Sequence, residues 1–148
     1  MALEDRLKDD MKAAMKARDG VRLDTVRLLL ADVKNRMIEK MGPLSPEEEL
    51  ALLSKQAKQR VEAAEAFHKG GREELAKAEE AQLEVIRAYL PEQLGDDEVK
   101  AIVAEVIAAV GAAGMKDMGR VMGALMPKIK GKYDGQAARG FVEAALKG

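Results

Sequence analysis

Lys116–Arg139 reads KDMGRVMGALMPKIKGKYDGQAAR, and its punctuation lays out a short helix carrying two glycines, a proline stop, a lysine-rich loop and the start of a last helix. Met118, Val121, Met122, Leu125 and Met126 recur at intervals of three and four, the period of one helix face rather than of a strand. Pro127 lacks an amide hydrogen and is expected to end that helix, leaving Lys128, Lys130 and Lys132 alternating along an extended loop. The helical period returns from about Gly135 to Lys147, with Ala138, Phe141, Val142, Ala145 and Leu146 inward.

The stretch is basic in a chain that is not. Six cations (Lys116, Arg120, Lys128, Lys130, Lys132 and Arg139) stand against Asp117 and Asp134, while the whole chain has a net charge of -1. Such an excess is the footprint of a phosphate-bearing or acidic partner, and equally of a solvated loop. Gly119 and Gly123 lie four apart on one helix face, which in a water-soluble helix is expected to mean tight helix packing; Gly131 and Gly135 are further candidates for close backbone approach. Two glycines inside a helix cost roughly 1 kcal/mol each in propensity, so something in the folded or bound state should compensate. Met115, Met118, Met122 and Met126 read as a core stripe, or else as an adaptable partner surface.

The rest of the chain is helical too. Leu3, Leu7, Met11 and Met15 mark a first helix ending near Asp19-Gly20; Val26, Leu29, Leu30, Val33, Met37 and Met41 mark a second, stopped by Gly42-Pro43. Ser45-Pro46-Glu47-Glu48 has the form of a capping box with proline at the first helical position, opening a third helix faced by Leu50, Leu53, Ala57, Val61, Ala64 and Phe67 and closed by Gly70-Gly71. A fourth takes Leu75, Ala76, Leu83, Ile86 and Leu90 inward and Glu73, Glu74, Glu79, Glu80 and Glu84 outward, ending at Pro91. Val99, Ile102, Val103, Val106, Ile107 and Val110 form the stripe of a fifth, starting at the cap candidate Asp96 and closing at Gly111. Glycine is sparse before Tyr89–Gly95 and frequent after it, a shift that places a joint there: a helical N-terminal domain over residues 1–92 and a small helical C-terminal domain over 93–148.

Composition excludes much chemistry. The chain has no cysteine, one histidine (His68) and three aliphatic hydroxyls (Thr25, Ser45 and Ser54), none in a nucleophile elbow or phosphate loop. No catalytic residue, metal ligand or cofactor is therefore assigned. Glu47-Glu48-Glu49 and Asp96-Asp97-Glu98 each open a helical pattern, where acids complement the helix dipole, and this explains them better than a metal site. His68 falls in the last turn of the third helix, where a solvated histidine becomes slightly more basic. No apolar run is long enough to span a membrane, and the N-terminus mixes acids with bases, so a cytoplasmic protein is expected.

The run Asp117–Lys132 followed by Asp134-Gly135 resembles the signature of the YqeY-like proteins, which share a domain with the tail of GatB, a subunit of the tRNA-dependent amidotransferase. Arg22-Leu23 to Leu30, Arg60 to Gly71 with Phe67-x-x-Gly70-Gly71-Arg72, and Tyr89-Leu90-Pro91-Glu92-Gln93-Leu94 carry the likeness over nearly the whole chain. Arg120 and Ile129 are conservative variants of the pattern, and Tyr133 replaces a small residue, adding a ring to stack on a base. The resemblance implies an all-α protein whose C-terminal half is similar to the domain that helps the amidotransferase recognise tRNA. It implies binding of tRNA or another RNA, with Lys116, Arg120, Lys128, Lys130, Lys132 and Arg139 as the contacts. Four aromatics are too few for a base-stacking platform, so shape and phosphate must carry recognition. Nothing resembles the ATP-using site of GatB or its amidase partner's serine nucleophile, so glutamine-dependent carbon–nitrogen ligase activity would follow by kinship alone. A protein-interaction adaptor, docking a partner through the N-terminal helices and the Met/Gly surface, is the alternative from another class. No residue pattern singles out a particular tRNA, protein partner or oligomeric state.

Overall fold

The computed structural model describes residues 1–147 and is all-α, as expected. Its helices are α1 (Leu3–Ala17), α2 (Gly20–Lys40), α3 (Pro46–Lys69), α4 (Glu73–Arg87), α5 (Asp96–Val110), α6 (Met118–Ile129) and α7 (Gly135–Lys147), with a 3-10 turn at Met115–Asp117. The chain forms two compact units, Met1–Leu90 and Pro91–Gly148, each with its own core.

In the first unit α1 packs on α2, α3 on α4, and α2 on both α3 and α4. Leu7, Val26, Leu29, Leu52 and Ile86 are fully buried at its centre. Met15 and Met41, expected inside, are 52% and 92% exposed. A strict spacing of four advances about 40° too far per step on a helix of 3.6 residues per turn, so by Met15 the line from Leu3 has left the core. Ala14 takes the buried place instead. Met41 has left helical geometry altogether. Leu75 is exposed, and Leu52, which the sequence pattern passed over, is buried. Glu79 does not face water freely but pairs with Arg60 at 3.4 Å. Helix α4 stops at Arg87, ahead of Pro91, and Leu90 reaches the core from the following turn. Tyr89 donates to Asp10 from beneath the Arg6 guanidinium, and burial, then that bond, pushes its phenol up.

The predicted capping box is present: Glu48 N–H donates to Ser45 Oγ (3.1 Å), and Ser45 N–H to Glu48 Oε1 (3.0 Å). Lys40 shares that carboxylate, and its hydrogen bond, with those from Ser45, holds Glu48 down to about 2. Among the described residues four helices end in a similar hydrogen-bonded loop with a six-to-one bond across it, the left-handed residue standing one place beyond α1, α2 and α5 and two places beyond α3. The bonds are Asp19 N to Ala14 O, Gly42 N to Met37 O, Arg72 N to Phe67 O and Ala112 N to Ile107 O. Glycine fills the left-handed place at Gly71 and Gly111, but Arg18 (φ 54°) and Met41 (φ 64°) fill it after α1 and α2.

His68 is more than a solvated helix-end residue. Its Nδ1 lies 2.7 Å from Glu73 Oε2 and its Nε2 2.7 Å from Glu80 Oε1. Carboxylates only accept, so both ring nitrogens carry protons in this arrangement. The bonds to Glu80 and then Glu73 raise the imidazole above its ordinary 6.5. The clasp therefore strengthens the α3–α4 hairpin fully below that value and is lost as pH rises through the raised one. Because this is the only histidine, its ring-proton NMR titration is unambiguous. A midpoint above 6.5 is expected, falling in both Glu80→Gln and Glu73→Gln; an unshifted midpoint in the parent would mean the clasp does not form in solution.

In the second unit, Val99, Val103 and Val106 of α5 meet Val121, Leu125 and Ile129 of α6 and Ala138 and Val142 of α7. Helix α5 starts from Gly95 as cap; Asp96, expected in that place, is its first helical residue, and Glu98 accepts the Gly95 N–H at 3.3 Å. Pro127 does not stop α6, which continues through it to Ile129. Ile129 is fully buried, worth roughly 1.5–3 kcal/mol, which goes far toward offsetting a proline whose missing bond would have gone to the carbonyl of exposed Gly123. Lys128 is consequently helical, and the loop begins only at Lys130. Of the methionine stripe, Met118 and Met122 pack on the core, whereas Met115 and Met126 are exposed.

Candidate nucleic-acid interface

The six cations divide between the two ends of α6. Lys116 and Arg120 lie at its start and Lys128 in its last turn; the eight residues from Arg120 to Lys128 rise about 12 Å. Arg120 is already engaged, donating from Nη2 to the Val110 carbonyl at the end of α5 (2.9 Å), with Asp117 at 3.5 Å. Asp117 itself accepts from Ala113 N–H at 2.9 Å, the main reason its carboxyl sits below the usual range. Arg139, one turn into α7, is paired with Glu143 at 3.4 Å. Lys128, Lys130 and Lys132 are exposed and, among the described residues, make no side-chain hydrogen bond or ion pair. With Lys116, which is likewise exposed and unpaired among the described residues but lies at the other end of α6, they are the free part of the basic stretch.

Two features of this end were hidden in the sequence. The segment before α5 lies against the lysine loop, with Leu94 N–H donating to Lys132 O (2.9 Å) and Gln93 Nε2 to Gly131 O (2.8 Å). The acidic first turn of α5, Asp96-Asp97-Glu98, therefore shares an end with the loop and tempers the positive excess counted along the chain. Second, Tyr133 is not free to stack on a base. Its hydroxyl donates to Asp96 Oδ1 at 2.5 Å, and its ring lies 6.0 Å from that of Phe141, tilted by 36°. Burial and then the Asp96 bond push the phenol up to about 12.

The glycines sort differently from the expectation. A Cβ on Gly119 or Gly123 would meet nothing within 4 Å, so the strip faces outward and no helix packs on it. Gly135 is the close approach: a Cβ there would stand 3.1 Å from Met126 Cε. Gly131 is needed for its left-handed φ of 75°. Gly119→Ala and Gly123→Ala should each raise the stability of the second unit by about 1 kcal/mol through helix propensity, whereas Gly131→Ala should lower it by about 1–2 kcal/mol. Urea denaturation separates the two cases, and a loss of stability at either helical position would mean that something does pack there.

A family model described as Yqey-like protein matches residues 4–146. The chain belongs to the YqeY-like family. Similar curated proteins are fungal and share one name, "Altered inheritance of mitochondria protein 41, mitochondrial". The YqeY-like chain is 32% identical to that of Pyrenophora tritici-repentis over 130 residues, covering 86% of this chain and 71% of the relative. It is 34% identical to that of Eremothecium gossypii over 127 residues, covering 83% and 65%. The protein of Lachancea thermotolerans is 41% identical over 85 residues, covering 57% and 46%. These relatives are mitochondrial by name, and that overturns the expected cytoplasmic location. Such an address is carried by a removable segment, so the make-up of the folded part is no guide to it. Among the described residues no helix is long and apolar enough to cross a membrane, and no three His, Cys, Asp or Glu side chains are grouped to hold a metal ion.

Proposed function

We propose that the YqeY-like chain is a non-catalytic RNA-binding accessory module with a preference for tRNA, its contact surface centred on Lys128, Lys130 and Lys132. The observation that carries this is the state of those side chains: three exposed cations without intramolecular partners among the described residues, mounted on a helix end and a loop tied down by backbone hydrogen bonds. Kinship with the amidotransferase tail supports tRNA as the RNA. Lys116, at the opposite end of α6, and Arg120 and Arg139, which would have to exchange existing partners, are secondary contacts. With Tyr133 engaged, recognition rests on phosphate and shape rather than on stacking.

An electrophoretic shift with bulk tRNA at low and moderate salt tests the proposal. Lys128→Gln, Lys130→Gln and Lys132→Gln should each weaken binding to many RNA sequences alike and reduce the salt slope by about 0.7–0.9 for every phosphate no longer neutralised, with folding unchanged. A triple variant that binds as tightly as the parent and with the same slope would make the loop ordinary solvated surface. A protein-interaction adaptor is then the better reading, favoured by large apolar side chains left exposed on and just after α2: Val21 (48%), Ile38 (74%) and Met41 (92%). Glutamine-dependent amidation of misacylated tRNA by the purified chain would instead revive ligase activity.

A further inference from the structure

Pro91–Asp96, which overlaps the joint that composition marks at Tyr89–Gly95, is hydrogen-bonded to the lysine loop. The Gln93 side-chain amide donates to two carbonyls at 2.8 Å each, that of Pro91 in its own segment and that of Gly131 in the loop. One residue on, Leu94 N–H donates to the Lys132 carbonyl at 2.9 Å, and the Leu94 side chain packs on the core of the second unit. Asp96 accepts from Tyr133 at the far end of the loop. Three successive loop residues, Gly131, Lys132 and Tyr133, are thus each bonded to this segment, while the side chains of Lys130 and Lys132 remain exposed.

We infer that Gln93 is a positioning residue for this cation loop: it holds the Gly131 carbonyl toward the Pro91–Asp96 segment, in the left-handed turn, and so presents Lys130 and Lys132 on an already ordered backbone. The inference rests on the proposal that the loop binds RNA. A loop ordered before binding avoids the entropy cost of ordering it on contact, so the staple acts on affinity without touching the partner. Gln93 is uncharged, exposed and outside the core, and its replacement leaves both the charge of the surface and the hydrophobic packing intact.

The test uses the full-length chain, the variants Gln93→Ala and Tyr133→Phe, and two readouts. The first needs no RNA: trypsin cleavage after Lys130 and Lys132, followed by mass spectrometry, reports how often the loop opens. Removal of one or two hydrogen bonds should speed cleavage there about five- to tenfold, with the thermal unfolding of the chain little changed. The second is tRNA affinity, which should fall about three- to tenfold with the salt slope of the parent, because every lysine still reaches its phosphate. Unchanged cleavage in Gln93→Ala overturns the positioning role. So does faster cleavage with tRNA affinity intact, since loop order would then be irrelevant to binding. Faster cleavage in a protein whose parent form binds no tRNA leaves Gln93 as the loop's staple and overturns the RNA surface instead.

Discussion

Ile129→Ala is expected to remove about half of the second unit's stability and to leave that of the first unchanged. Ile129 is fully buried among Val99, Leu125 and Val142 in one core. Truncating such a residue costs about 2–5 kcal/mol, transfer and cavity together. A unit as short as Pro91–Gly148 holds roughly 3–9 kcal/mol in all. Circular dichroism in urea should show the second unit's transition moved to much lower urea, whereas Lys128→Ala and Lys130→Ala on either side should stay within about 0.5 kcal/mol of the parent. Were Pro127 the true end of α6, Ile129 would sit in a solvated loop and its replacement would be as silent as theirs.

The second large effect concerns where the second unit begins. A fragment of residues 91–148 should fold cooperatively by itself, since it holds a complete core. A fragment of 95–148, cut where the glycine content changes, lacks the Gln93 and Leu94 hydrogen bonds and the Leu94 side chain. Each net hydrogen bond contributes about 0.5–1.5 kcal/mol, and with Leu94 the shorter fragment should be less stable by about 2–4 kcal/mol. Equal melting of the two would show the segment to be a mere tether.

Helix identity was legible in the sequence because it rests on local quantities. The capping box at Ser45, the valine stripe of α5 and the glycine exits at Gly71 and Gly111 are all read from neighbouring residues, and all are present. Errors arose where tertiary context outweighs a local rule. Pro127 is tolerated because a buried isoleucine two residues on offsets the cost of continuing the helix, and a linear reading cannot see that burial. Asp96 looked like a cap, but its carboxylate serves Tyr133, thirty-seven residues away in sequence. The lysines were legible as charge, but not their separation from Lys116 and Arg120 by the length of α6, nor the acidic turn beside them. Gln93 stood in the Tyr89–Leu94 motif that carries the family resemblance, but no charge, periodicity or turn signal gave it a role.

Arg18 and Met41 bring a different consequence, one of folding order. A left-handed residue with a side chain costs about 1–2 kcal/mol, so in a short peptide neither would adopt that conformation unaided. The reversals after α1 and α2 therefore wait on the packing that they serve, namely burial of Leu7, Leu29 and Leu30. The α3–α4 hairpin has its own start at Ser45, its own glycine exit and a histidine clasp across its turn. Within the first unit it is the piece expected to form first from its own sequence, with α1 and α2 docking afterwards, an order that pulsed hydrogen exchange would test.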